Sequence, residues 1–468
     1  MISARFKNMR TFKILLLGLL SAAVVRAEET KVPAITAIPA MAYQHLTLPN
    51  GLNIYSVEDH TSPTIAIQVW YHVGAKDDPA GRSGFAHLFE HIMFKGNKDM
   101  KPEMMDRLTE DIGGANNAYT ADDVTVFYET VPSNYLEPIL WAEGERMASL
   151  KVDAGNFRSE RFVVEQEYRQ RVLADPYGEF SEEVLKKSFA EHPYKRPPIG
   201  NMHDLNAATL TDVVNFHATF YRPDNATMVI VGDFDPAQLN KWVAKYFSSI
   251  PTPSAAIPRV TTKEPSRTAN QRFDLTDAKI PLPAIAITYL APPRSSDDAP
   301  VFQVVEQIMG GGDSSRLYQS LVYRQQLAES VSSNADLRQD LGLFALTAVL
   351  ASGKSTQQGE EALIAEINKL KNEPVSTQEL SKAKNEILTQ KLKERETFEG
   401  KAAALADAVV LLGDPARVNT DLAKVQAVTA ADVQRVMRKY ITDTNRVIIT
   451  DMAKPEPAAN TPAPEVTK

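Results

Sequence analysis

The feature that most restricts the fold is that the 468-residue chain is written twice. Residues 87–93 read HLFEHIM and residues 303–309 read QVVEQIM. Each motif follows an alternating, strand-like run, TIAIQVWY at 64–71 and PAIAITY at 283–289. Between run and motif lies a polar turn with paired aspartates, Asp77-Asp78 in one copy and Asp297-Asp298 in the other. Further on, LNAATLTDV at 205–213 parallels VQAVTAADV at 425–433. Each leads into an amphipathic helix closing on an aromatic, Tyr221 or Tyr440, and then into a strand. The matches keep one order at offsets of 216 and 220 residues, as a tandem duplication would. The pattern in each copy is strand, strand, helix, long helical stretch, strand. It predicts an α+β domain, a mainly antiparallel sheet with helices packed on one face. Two such domains would enclose a cleft between them.

Residues 249–270, rich in Pro, Ser and Thr and without helical periodicity, read as the linker. The homologous domains are then 28–248 and 271–452, followed by a Pro- and Ala-rich tail, 453–468, of the disordered type. Residues 1–27 form a separate class. Arg5, Lys7, Arg10 and Lys13 precede an apolar run at 14–25, and small residues surround Ala27. That is the layout of a secretory signal peptide. An uncleaved anchor is the competing reading, but the run is well short of the roughly 20 residues a span needs. The expectation is export to the periplasm of a Gram-negative cell, with no stable membrane insertion after cleavage.

Cleavage there would remove five basic residues and no acidic one from a chain whose formal charge is already −8. So acidic a surface argues against nucleic acid and anionic membrane as partners. The chain has no cysteine, which excludes disulfides and thiol nucleophiles and leaves His, Asp and Glu as the only metal ligands. All eight histidines lie at or before position 217, so only the first copy could hold a histidine-ligated ion.

Residues 83–94 read as a helix, with Ser83-Gly84 at its start and Gly96-Asn97 beyond its end. His87 and His91, four apart, project from one face, where two imidazoles can grip one tetrahedral ion. Glu90 lies beside that face and can reach a water on the metal without displacing either ligand. The bland alternative is a core-facing helix with two satisfied histidines. In the second copy both positions are glutamine, Gln303 and Gln307, while the glutamate persists as Glu306. Neutral amides are poor zinc ligands, so the second copy keeps the scaffold without the metal. A third ligand must come from elsewhere. Residues 156–173 are helical in pattern, and Glu160 and Glu167 point the same way to within about 20°, while Glu165 faces nearly opposite. Glu167 could bind zinc with Glu160 supporting a ligand histidine; a solvated charged helix would look the same.

These residues resemble the pitrilysin and mitochondrial processing peptidase family, the inverzincins, and the likeness runs through nearly all of the chain after residue 27. The family's HxxEH motif is followed about 70–80 residues later by a helix of the form E-R-x-V-[IV]-x-x-E, matched by residues 160–167 here. The resemblance implies a zinc metalloendopeptidase with one Zn2+ per chain. His87, His91 and Glu167 would be the metal ligands, Glu90 the catalytic acid–base and Glu160 the supporting carboxylate. Residues 113–120, GGANNAYT, resemble the strand that binds extended peptide along its edge, which implies Asn117, Ala118 and Tyr119 as substrate-binding residues. Residues 310–317 resemble the glycine-rich loop of the second domain.

The family also draws on an Arg and a Tyr, seven apart, beyond that loop, to stabilise the oxyanion. The matching positions here are Val322 and Glu329, which cannot do this; Tyr323 and Arg324 would serve only if the helix shifted register. In some family members the zinc chain and the Arg/Tyr chain are separate subunits. The resemblance therefore implies a heterodimer whose homologous partner supplies the pair. The rival reading is a noncatalytic processing-peptidase-like assembly or binding subunit. Its mark would be a damaged metal triad, and this triad is intact.

Overall fold

The computed structural model describes residues 39–453, so the leader at 1–27 and the tail beyond Ala453 lie outside the described residues. No helix among the described residues is long and apolar enough to cross a membrane. The duplication appears as two sheets of matching topology. The first holds β1 (Gln44–Thr47), β2 (Asn53–Glu58), β3 (Thr64–Tyr71), β4 (Ala115–Thr120), β5 (Thr125–Pro132) and β6 (Ala226–Gly232), in the order β1-β2-β6-β3-β5-β4. The second holds β7 (Gln271–Asp277), β8 (Ala284–Ala291), β9 (Ala328–Leu337), β10 (Gly342–Leu350) and β11 (Arg446–Ala453), in the order β7-β11-β8-β10-β9. Without β1, the two orders are the same. All pairings are antiparallel except β2 with β6 and β7 with β11, which occupy equivalent places. The edge strands β4 and β9 are therefore counterparts.

Six helices bear on function: α1 (Phe85–Ile92), α2 (Ala154–Tyr168), α3 (Gly178–Ser188), α4 (Ala299–Gly310), α5 (Thr377–Glu394) and α6 (Phe398–Val410). Strand alternation sends Ile65, Ile67, Val69 and Tyr71 of β3 to one face, where they meet Phe85, Leu88 and Phe89 of α1. Ile285, Ile287 and Tyr289 of β8 do the same against Phe302, Val305 and Met309 of α4. Each half thus packs helices of its own on one face of its sheet, as the pattern predicts.

The opposite faces carry an arrangement that the linear pattern does not contain. Ala66, Trp70, Val229 and Val231 of the first sheet are covered by Phe398, Ala402 and Leu405 of α6, a helix of the second half. Ala284, Ala286, Val447 and Ile449 of the second sheet are covered by Phe180 and Val184 of α3, a helix of the first half. Each half lends the other a helix, so the boundary in the chain does not coincide with the boundary in the packing. The segment at 249–270 has no helix or strand, yet it is pinned down. Arg259 donates to His72 O at 2.7 Å, and Glu264 accepts from the backbone of Ala190, Glu191 and His192. A cavity of about 730 Å³ is lined almost wholly by the second half, Gln303, Glu306 and Asn334 among its residues, with Trp70 and Tyr119 reaching it from the first.

Candidate metal centre

The motif helix α1 is short because its ends are set by contacts, not by length. Gly84 precedes it at φ 95, and a Cβ there would sit 2.8 Å from Ile199 O, so the left-handed start and the close approach both require glycine. The helix N-terminus is capped from upstream. Asp78, buried, accepts from Gly84 N at 2.7 Å and Ala86 N at 2.9 Å. Burial raises the Asp78 carboxyl to about 7, with the two backbone donors pulling the other way. Phe85, Leu88, Phe89 and Ile92 fill the core, which turns His87, Glu90 and His91 toward α2 and β4.

There the side chains converge. Glu167 Oε2 of α2 lies 3.3 Å from His91 Nε2 and 3.6 Å from His87 Nε2. One ligand atom from each of the three lies within 4.8 Å of the others, a group that could hold a metal ion. Donors each about 2.0–2.1 Å from a tetrahedral ion stand about 3.3–3.4 Å apart, which the His91–Glu167 distance meets and the His87–Glu167 distance slightly exceeds. Burial, then the neighbouring His91, lowers His87 to about 4, leaving a neutral imidazole with a lone pair to give. The His91 contact, opposed by burial, lowers Glu167 and keeps it anionic. Two imidazoles and a carboxylate are the donor set a divalent zinc ion takes.

The surroundings orient these donors. Arg171 Nη1 is 2.8 Å from Glu167 Oε1, which leaves Oε2 facing the imidazoles. Glu160 Oε2 lies 3.9 Å from His91 Nδ1, an electrostatic neighbour at a length beyond a hydrogen bond, and Lys95 approaches Glu160 Oε1 at 3.4 Å. Glu165 points away and faces Arg161 and Arg169 instead. Glu90, raised by burial, accepts from Thr120 Oγ1 at 2.7 Å.

The strand residues divide by parity. Asn116, Ala118 and Thr120 turn their side chains to the α1 side of β4, while Asn117 and Tyr119 point to the other. Tyr119 is 41% exposed, meets Trp70 edge-on at 6.3 Å and lines the cavity. The Ala118 N–H, turned to the free edge, is held by Asn117 Oδ1 at 2.8 Å. Among these strand residues, Thr120 is the one whose side chain bonds a side chain of the motif helix. In the second half, Val322 packs partly against the core and Glu329 is exposed, so neither presents an oxyanion donor. Tyr323 and Arg324 sit in a π-helical turn, Tyr318–Arg324, with Tyr323 70% exposed.

The second copy holds the counterpart of the centre, including a part the sequence comparison overlooked. Glu379 and Glu386 on α5 repeat the seven-residue spacing of Glu160 and Glu167 at an offset of 219 residues. Gln307 Nε2 donates to Glu386 Oε2 at 2.8 Å, and Arg316 grips Glu379 through two bonds of 2.7 and 2.8 Å. The spacing was visible in the sequence, but without histidines nothing drew attention to it.

Comparison with known proteins places this geometry in context. Residues 53–200 match the family described as insulinase, peptidase family M16, and residues 207–387 match the one described as the peptidase M16 inactive domain. The chain is 29% identical over 414 residues to the zinc protease PqqE of Helicobacter pylori, covering 87% of this chain and 92% of that protein. It is 24% identical over 409 residues to a probable mitochondrial-processing peptidase subunit beta of Arabidopsis thaliana, covering 85% and 76%. The crystal structure of a protease from Helicobacter pylori superposes with a TM-score of 0.85 at 28% identity, covering 89% of this chain and 100% of that one.

Proposed function

The chain belongs to the M16 peptidase family of pitrilysin and the mitochondrial processing peptidases, and from that premise we propose that it is a zinc-dependent endopeptidase acting on extended peptide segments. One observation carries the reading: two imidazole nitrogens and one carboxylate oxygen gather within 4.8 Å of one another beside a half-buried glutamate. His87, His91 and Glu167 would hold the ion, which when bound supplies Lewis-acid polarisation of the scissile carbonyl and makes water easier to deprotonate. Glu90 takes the proton from the attacking water and returns it to the leaving amine. Burial suits Glu90 to this work, because a raised carboxyl pKa makes it a better base and a readier donor. Arg171 keeps Oε1 of Glu167 occupied, so that its other oxygen stays with the imidazoles. The free edge of β4 offers backbone groups to an extended peptide, and Asn117 must release the Ala118 N–H to admit it.

Co-purified from its native host with any partner subunit, the wild-type chain should hold about one zinc ion and cleave an unstructured peptide until a chelator is added. Glu90→Gln should keep the ion and lose activity by about 10²–10⁴-fold. Cleavage unaffected by Glu90→Gln would sink the assignment. The reading extends to a heterodimer. Val322 and Glu329 stand where an Arg and a Tyr would help the oxyanion, so a homologous partner subunit supplies that pair. Full turnover by the purified chain alone would overturn the partner. The leader pattern at 1–27 supports export to the periplasm, which fractionation of the native host would test.

A further inference from the structure

The bond between Thr120 and Glu90 is the contact in this centre that joins the peptide-binding strand to the acid–base residue. Thr120 Oγ1 donates to Glu90 Oε2 at 2.7 Å. Thr120 is the last residue of the edge strand β4, with a β-branched side chain whose χ1 is stiff. The terminal torsion of a glutamate, by contrast, is broad, so an unanchored carboxylate would sample many orientations. With Oε2 engaged by the hydroxyl, Oε1 is the oxygen left for water.

The duplication supplies an internal control. Thr120 stands opposite Thr125 at the end of β4, and Leu337 stands opposite Gly342 at the end of β9. The copy with glutamines in place of the histidines thus has a leucine where the hydroxyl would be. Its glutamate, Glu306, is kept, but the backbone N–H of Ala335 on β9 holds it in place of a hydroxyl. The side-chain hydroxyl thus accompanies the imidazoles, while the copy without them ties its glutamate to the strand's main chain.

We propose that Thr120 is a positioning residue that fixes the Glu90 carboxylate and ties its orientation to the strand on which the peptide docks. The inference rests on the peptidase reading given above. Peptide added along β4 settles the main chain of Thr120, and through one hydrogen bond that settles the base. Misplacing a reacting group by about 1 Å costs on the order of 10²-fold in rate. Thr120→Val, which keeps shape and removes the hydroxyl, should therefore lower kcat by about 10- to 100-fold. The main-chain groups that hold peptide remain, so KM should stay within about 2-fold and the zinc content at about one ion per chain. Thr120→Ser, which restores the donor, should return kcat to within about 3-fold of wild type.

Crystal structures of the zinc-loaded variants give a readout apart from turnover. In Thr120→Val the Glu90 carboxylate should leave its place beside position 120, and in Thr120→Ser it should regain it. A Val variant with kcat within about 2-fold of wild type, or a Ser variant as slow as the Val variant, would overturn the proposal. Failure of the peptidase reading looks different, because wild type would then cleave no faster than Glu90→Gln. In that event the crystal structures alone decide, and a Glu90 unmoved in Thr120→Val overturns the positioning role.

Discussion

The helix pairs α1–α2 and α4–α5 solve one structural problem in two ways. Both bring a motif helix against a long helix bearing two glutamates seven apart. In the first pair His87, His91 and Glu167 face each other at separations that an ion would fill. In the second, Gln307 bonds Glu386 directly at 2.8 Å, and amide and carboxylate need nothing between them. The upstream aspartates differ in the same spirit. Asp78 meets only backbone donors and is pushed up to about 7 by burial. Asp298 is also penalised by burial, but Lys439, Arg435 and Tyr440 overcome that and hold it at about 2. One scaffold therefore carries a histidine–carboxylate group at one helix junction and an amide–carboxylate hydrogen bond at the other. On the proposed function, the ion would serve chemistry and not the fold.

The strongest test makes the first pair imitate the second. His87→Gln combined with His91→Gln should take zinc from about one ion per chain to none and cleavage to the uncatalysed level, with the far-ultraviolet circular dichroism unchanged. Collapse of the fold in that variant would make the metal structural and dissolve the comparison. The converse exchange, Gln303→His with Gln307→His, should let Glu386 complete a second triad and raise zinc to about two ions per chain, measurable by elemental analysis. A count that stays at one would mean the backbones of the two copies differ more than their shared topology implies.

The lent helices can be tested next. Phe398, buried on the first sheet, should cost about 3–5 kcal/mol when changed to Ala, seen as a lower midpoint of denaturant unfolding. Loss of the first half's stability from a substitution in the second would establish that the halves unfold together.

The smallest effect concerns pH, and its sign differs between the two aspartates. Asp78 has a folded value of about 7 against 3.8, so its contribution favours folding below 3.8 and is lost as pH rises toward 7. Asp298 is held at about 2 against 3.8, so its contribution is present above 3.8 and is lost as pH falls through 2. Asp78→Asn should flatten the melting temperature's dependence on pH in the upper window, and Asp298→Asn in the lower one.

Much of the centre was legible because its residues are locally paired. His87 and His91 are one helical turn apart, Glu160 and Glu167 two, and helix periodicity alone puts each pair on one face. Arg171, four residues after Glu167, could have been found by the same rule. Thr120 could not, since strand parity told which side it took but not that Glu90 waited there. The substrate-strand expectation named the three residues before it, because a resemblance transfers positions and not contacts.

Duplication, the strand β3 to its last residue and the confinement of the paired histidines to one copy can all be read from the chain, since periodicity and residue type are local properties. Only the tertiary structure decided that α3 and α6 cross to the other half's sheet and that a hydroxyl at a strand end holds the glutamate. An apolar stripe records that a surface must leave water and carries no address for the surface it will meet. That address is fixed by packing among segments hundreds of residues apart, where volume and shape choose the partner.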